Sequence, residues 1–319
     1  MPGASSDVPV RAGSHCLFAS LRRMLADKYG LIMTEAEIYF RCDAMNVEHH
    51  PRSRPLWIGR SGQEMMRHFA DTGPAEMDYE FATEEGLANS KLLGRIQPPL
   101  ASGEPVLLFV HSGSLTYHPI YRENPSRAHV ICGYGWDERS GAIHVIDSFL
   151  LDYTGTAHSY QGPASYKELS LGVYGVAWMK EIYPHAVQPE NGAYVSESGK
   201  ERQAAFITLM KRRMMEYLQG SSRNDGTVRG LAAYDSLYRS LETVVDWDSA
   251  AFTDGCKELY YVLRIGKHHA PMVVFRGNRQ GARLGFLSRV GVLDGKAAGR
   301  EPLVEKASAS FVQNRASRS

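Results

Sequence analysis

The chain has 319 residues, 43% of them hydrophobic, enough to bury two cores and ordinary for a soluble protein. Thirty-six basic residues against thirty-five acidic ones leave a formal net charge of +1, so no long-range field draws the chain to nucleic acid or to an anionic membrane. The opening MPGASSDVPVRAGSH lacks the apolar run of a signal peptide and no later run reaches the length of a membrane span, which sets the expectation of a cytoplasmic protein.

In chain order, HCLFASLRRMLADKYG comes first. Leu17, Phe18, Leu21, Met24 and Leu25 recur at helical spacing, and Gly30 stands where a left-handed stop is expected. Capping boxes at Thr34 with Glu37 and at Ser61 with Glu64 predict a second and a third helix. Between them CDAMNVEHHPRSRPLWIGR reads as a polar loop, long enough to wall or cover a site. The adjacent pairs His49, His50 and His268, His269 read as exposed loop histidines, because neighbouring residues point apart and no acidic or cysteine partner lies near in sequence.

From Pro105 the pattern changes to PVLLFVH, AHVICGYGW, AIHVID and GVYGVAWMKEIY, short β-branched and aromatic runs broken by Gly, Ser, Pro and Asp. Asp137 to Gly141 reads as the turn of a hairpin. Helices followed by antiparallel strands predict an α+β domain over 1–184. Residues 185–199 have linker composition, and Ser198 with Glu201 predicts the cap of a new helix. A smaller all-helical domain is expected over 200–305, with Lys211 to Met215 as a solvated face, Tyr234, Tyr238, Tyr260 and Tyr261 as core, and 306–319 as a tail.

The four cysteines, Cys16, Cys42, Cys132 and Cys256, show no C-x-x-C pairing, which argues against a structural zinc site and a redox dithiol. Cys16 opens the first helix, where unpaired N–H groups and the helix dipole favour an anion. A packed thiol would occupy the same position, so position alone does not decide. A nucleophile needs a base and a group that orients the base. The hairpin holds both types: His129 lies eight residues before Asp137 and Asp147 six after Gly141, so antiparallel pairing returns the carboxylate to the imidazole's end of the ladder.

Cys16 at a helix start, then H-V-I-x-G-Y and V-x-D-S on paired strands, resembles the papain-like fold in its bacteriocin-leader-processing branch. More narrowly, HCLFASLRRMLADKYG, TEAEIYF and GLAAYDSLYRSL resemble the butirosin-biosynthesis acyltransferase family. The resemblance implies Cys16 as nucleophile, His129 as base and Asp147 as its orienter. It also implies an acyl carrier protein as partner, an amine or hydroxyl of a small molecule as acceptor, and no cofactor held by the chain itself, the phosphopantetheine arm belonging to the carrier. Carrier proteins are usually acidic, which points to Arg22, Arg23, Arg52, Arg54 and Arg60 as docking candidates. One position departs from the papain pattern: Val10 stands where a glutamine would help bind the oxyanion, which disfavours peptide cleavage. A cysteine hydrolase acting on a thioester, amide or peptide, and a non-catalytic binding module of the same fold, remain open at this point.

Overall fold

The structure is a computed structural model and describes residues 12–52, 57–82, 89–123, 126–152, 156–182 and 197–242, together with 248 and 253. Helix α1 (Cys16–Tyr29) buries Leu17, Phe18, Leu21, Met24 and Leu25 and stops at Gly30, whose φ of 61° only glycine adopts cheaply. Each of those five side chains contributes roughly 1.5–3 kcal/mol of burial, so the stripe fixes the helix firmly. Thr34 accepts from the Glu37 N–H at the head of α2 (Glu35–Arg41). Two short strands follow, β1 (Glu48–His49) and β2 (Ile58–Gly59), and then α3 (Gly62–Thr72), headed by Ser61 in the same way.

The larger sheet is built from β3 (Ala75–Phe81), β4 (Val106–His111), β5 (Ala128–Asp137), β6 (Ala142–Leu151), β7 (Ala157–Ser165) and β8 (Val173–Ile182), with helices α4 (Asn89–Ala101), α5 (Pro119–Glu123) and α6 (Tyr166–Leu169) interspersed. Its order is β3-β8-β4-β5-β6-β7 and every pairing is antiparallel. One face packs Leu108, Val110, Ile131, Ile143, Val145 and Val176 with Ile96 and Leu100 of α4. Helix α1 runs against β5 and β6, where Ser20 Oγ donates to the Val130 carbonyl at 3.3 Å. Helices and two antiparallel sheets make an α+β protein, and among the described residues no helix is long and apolar enough to cross a membrane.

Beyond the expected linker come α7 (Glu197–Gln219), β9 (Ser221–Ser222), β10 (Val228–Arg229) and α8 (Leu231–Glu242). Three readings are corrected here, the first being that Tyr234 and Tyr238, expected in the core, are exposed. The segment is not all-helical: β9 and β10 form a hairpin, and β10 pairs with β1 to complete a second sheet, β2-β1-β10-β9. Helix α7 also begins before Ser198, which lies in its first turn rather than ahead of it. Residues 306–319, Tyr260, Tyr261, Cys256, His268 and His269 lie outside the described residues.

The 42–60 segment is therefore a clasp on the later chain. His49 is fully buried, against the expectation of an exposed loop histidine, with Nδ1 2.7 Å from the Trp57 carbonyl and Nε2 3.0 Å from Ser240 Oγ of α8. His50 is half-buried with Nε2 3.0 Å from the Asp225 carbonyl. Beside them Asp43, in a left-handed turn with φ 54°, meets Arg60 at 3.1 Å and Arg213 of α7 at 3.3 Å. Glu48 takes Arg60 at 2.8 Å, Arg223 at 3.1 Å and Arg229. Glu64 takes Arg223 at 2.8 Å and Arg229 at 3.2 Å.

Two of the five candidate docking arginines, Arg23 and Arg60, are buried in ion pairs rather than presented to a partner. The Arg60 side chain is 1% exposed inside this network, Arg23 is buried against Asp27, and Arg22 pairs with Glu35 at 2.5 Å. Arg52 alone of the five is described as exposed, and Arg54 lies outside the described residues.

Candidate active site

A single extra residue decides whether the hairpin can bring His129 and Asp147 together. From Asp137↔Ala142 to Gly135↔His144 the strands pair in one register, and from Gly133↔Val145 to Cys132↔Ile146 in another, with Tyr134 as the extra residue of a bulge. Continued one step, the second register sets Asp147 opposite Ile131, two residues from His129 and so on its face of the sheet. The unbulged register would set Asp147 opposite Cys132 and turn it to the other face. The same face receives Tyr160, which is paired with Asp147 on β7.

The result is a saturated carboxylate. Asp147 is fully buried, and its Oδ2 accepts from His129 Nε2 at 2.9 Å, Tyr117 OH at 2.9 Å and Tyr121 OH at 2.8 Å, while Oδ1 accepts the Phe149 N–H at 3.0 Å. Burial alone would raise its pKa, but the His129 charge and these hydrogen bonds hold it below the usual carboxylate range. Burial pulls the His129 imidazole down, yet Asp147, with a further contribution from Cys16, lifts it to about 10. Burial and the Asp147 charge push both phenols up, so they stay protonated donors. Tyr117 is stacked on Tyr160 with ring centroids 4.1 Å apart.

Cys16 completes the group. His129 is the second residue of β5, at the end of the sheet, and Cys16 at the tip of α1 lies near enough to its ring to contribute to the upward shift. Asp147 and Tyr121 occupy Nε2, so Nδ1 is the ring nitrogen that neither engages. His15 offers no side-chain cap to α1, and Cys16 stands at the positive end of the helix dipole. The loop before it is tightly held. Gly13 N–H donates to the Ser148 carbonyl, directly after Asp147, and Glu35 of α2 accepts from both the Ser14 N–H and its hydroxyl. A Cβ on Gly13 would sit 2.3 Å from that of Ala19, so only glycine lets the loop approach so closely. Tyr174 of β8 lies near enough for the Cys16 charge to act on its phenol.

The structure thus brings Cys16, His129 and Asp147 together, and sets the other described thiols apart. Cys42 and Cys132 are buried, and burial pushes both up, Cys132 to about 12, whereas Cys16 is half-buried. Val10 lies outside the described residues. Glu35, Tyr117 and Tyr121 escaped the sequence reading, since T-Y-H-P-I-Y carries no local signature of what its hydroxyls meet. An open cavity of about 590 Å³, lined by Gln97, Trp136, Gly141 and Lys167 among others, lies at the turn end of β5 and β6, the end opposite Cys16. Among the described residues no group of His, Cys, Asp or Glu is arranged to hold a metal ion. No protein-family model matches the chain, and neither does any curated protein.

Proposed function

We propose that the protein is a cysteine-dependent acyltransferase of papain-like architecture that takes its acyl group from a carrier-bound phosphopantetheine thioester. The observation that carries this reading is the line from Cys16 through His129 to the buried carboxylate of Asp147, 2.9 Å from Nε2. The Cys16 thiolate, paired with the His129 imidazolium, attacks the thioester carbonyl. The oxyanion forms at the head of α1, where the positive end of the helix dipole favours it. Collapse breaks the donor C–S bond, and the departing thiolate takes the proton from His129 Nδ1. An amine then attacks the acyl-cysteine thioester, His129 accepts its proton, and Cys16 leaves as thiolate. A thioester suits the site because thiolate departs without the strong acid assistance an amide nitrogen requires.

The test is intact-mass measurement of the full-length protein with acyl-loaded carrier protein. Expected is one added acyl mass on Cys16, absent in Cys16→Ala and discharged on addition of an amine acceptor. Discharge into water at the same rate with or without acceptor would replace transfer by hydrolysis, and no adduct with any thioester would end the reading.

A further inference from the structure

Tyr121 stands between the two charged partners of the site. Its oxygen is 2.8 Å from Asp147 Oδ2 and 2.9 Å from His129 Nε2, whereas Tyr117 reaches Asp147 alone. Hydrogen accounting makes the difference matter. A phenol has one hydrogen, and an ionised carboxylate only accepts, so the Tyr121 hydrogen is committed to Asp147. Toward Nε2 it can then present only a lone pair. Both neighbours of Nε2 are acceptors, and Nε2 must carry a hydrogen in either charge state of the ring.

We propose that Tyr121 is a positioning residue for the acyl chemistry: its hydroxyl, oriented by Asp147, fixes the Nε2–H tautomer of His129 and so keeps Nδ1 as the nitrogen that exchanges protons at Cys16. This rests on the reading of Cys16 and His129 as nucleophile and base. The need for the tautomer arises once per turnover. While His129 is an imidazolium both nitrogens carry hydrogen and orientation is secured by charge. After the leaving thiolate takes its proton the ring is neutral, and only the form with a bare Nδ1 can receive a proton from the acceptor. Asp147 favours that form, and the phenol oxygen makes it the one that both neighbours accept. Burial and the Asp147 charge keep the phenol protonated through this step. Tyr117 supplies the internal comparison, an equal hydrogen bond to the same oxygen without contact to the ring.

The experiment compares wild type, Tyr121→Phe and Tyr117→Phe as full-length proteins. Nitrogen NMR of labelled histidine reads the His129 tautomer above its pKa of about 10, and carrier-thioester turnover gives kcat and KM. Wild type and Tyr117→Phe are expected to show neutral His129 with hydrogen on Nε2 alone. Tyr121→Phe is expected to show a mixture of tautomers, with kcat reduced about 10- to 100-fold, the value of one hydrogen bond to a charged group, and KM within about twofold. Tyr117→Phe is expected to lose less. Retention of pure Nε2–H in Tyr121→Phe, or equal tautomer mixing in both variants, overturns the proposal. The NMR reading needs no acyl donor, so it stands apart from failure of the transferase reading, which would appear as a wild type that forms no acyl-Cys16. Where Tyr121→Phe perturbs folding, 3-fluorotyrosine at position 121 keeps the ring and hydroxyl while weakening the phenol oxygen as an acceptor, and an unchanged tautomer there counts against the proposal.

Discussion

Two histidines, His129 buried and His68 half-buried, lie in opposite surroundings, and the contrast separates two charged clusters of the molecule. His129 faces one carboxylate and is lifted to about 10; burial, then Arg60 and Arg213, holds His68 down to about 4. Around His129 the hydrogen bonds converge on Asp147, and the half-buried Cys16 lies near the ring. Around His68 the charges answer each other: Asp43 and Glu48 are each shared between Arg60, ahead of α3, and guanidiniums of the α7 to β10 region, Glu64 takes Arg223 and Arg229 of that region, and the His68 ring accepts from Arg213 at 3.3 Å. A buried cluster with one unsatisfied direction is available for chemistry. One whose carboxylates and guanidiniums pair across the chain holds distant segments together, and its value lies in what breaking it would cost.

The sharpest way to break that comparison is at Cys16. Cys16→Ala is expected to reduce turnover by about 10⁴-fold or more while thermal unfolding moves little, since a small side chain is lost at a helix start. A variant that turns over like wild type removes the nucleophile from the argument. Asp147→Asn should follow with a loss on the order of 10²- to 10⁴-fold, because the amide keeps a partner for Nε2 but loses the charge and can favour the wrong tautomer. The bulge gives a third handle: one residue inserted between Cys132 and Gly133 should set Asp147 opposite Cys132, on the other face from His129, and cost at least about 10²-fold, whereas deleting Tyr134 leaves Gly133 opposite Val145 and Asp147 opposite Ile131 and should cost less than about tenfold. Equal activity of the two, measured on proteins with matching circular dichroism, would show that the register does not govern the site.

In the paired cluster the expected effect is on stability. Arg60→Met leaves Asp43 and Glu48 buried without one of their cations and should cost about 3–5 kcal/mol in chemical denaturation, with kcat of the folded fraction within about twofold. The smallest expected effects are in pH dependence, and they have opposite signs. His129 has a folded pKa above its unfolded value of 6.5, so its contribution is complete below pH 6.5 and fades as pH rises through about 10. His68 has the lower value in the fold, so its contribution is present above pH 6.5 and fades as pH falls toward 4. His68→Gln should remove on the order of 1 kcal/mol of that acid-side slope, read as unfolding midpoints between pH 4 and 7.

The three opening helices and four of the strands were legible because each carries its own period and cap, as in Leu17 to Leu25 or Thr34 with Glu37. Strand β7 was not, since AHSYQGPAS holds Gly162 and Pro163; the proline is tolerated because β7 is an edge strand, a fact of topology rather than of local pattern. Strand β3 was missed although AEMDYEF alternates apolar and polar residues strictly; its outward positions are Glu76, Asp78 and Glu80, residue types depleted in strands, and the four strands of the second sheet are two residues each, too short for any period. The pairing of His129 with Asp147 followed from residue order alone, but the register count neglected the bulge that makes their faces agree. Arg23 and Arg60 misled because a charge has no sequence signal for burial; only the carboxylates that meet them, one of them adjacent and the others far along the chain, reveal it.

Strand β8 enters the larger sheet between β3 and β4, although it is the last of the six to be synthesised. Val106 to Val110 of β4 is apolar throughout and buried on both faces in the finished fold. During vectorial synthesis, Cys16, His129 and Asp147 have all been made before residue 173, yet until β8 arrives β4 presents an open, uncharged edge to any other strand in reach. Premature termination between the two therefore yields chains that carry every reactive group of the site together with the segment most prone to intermolecular pairing.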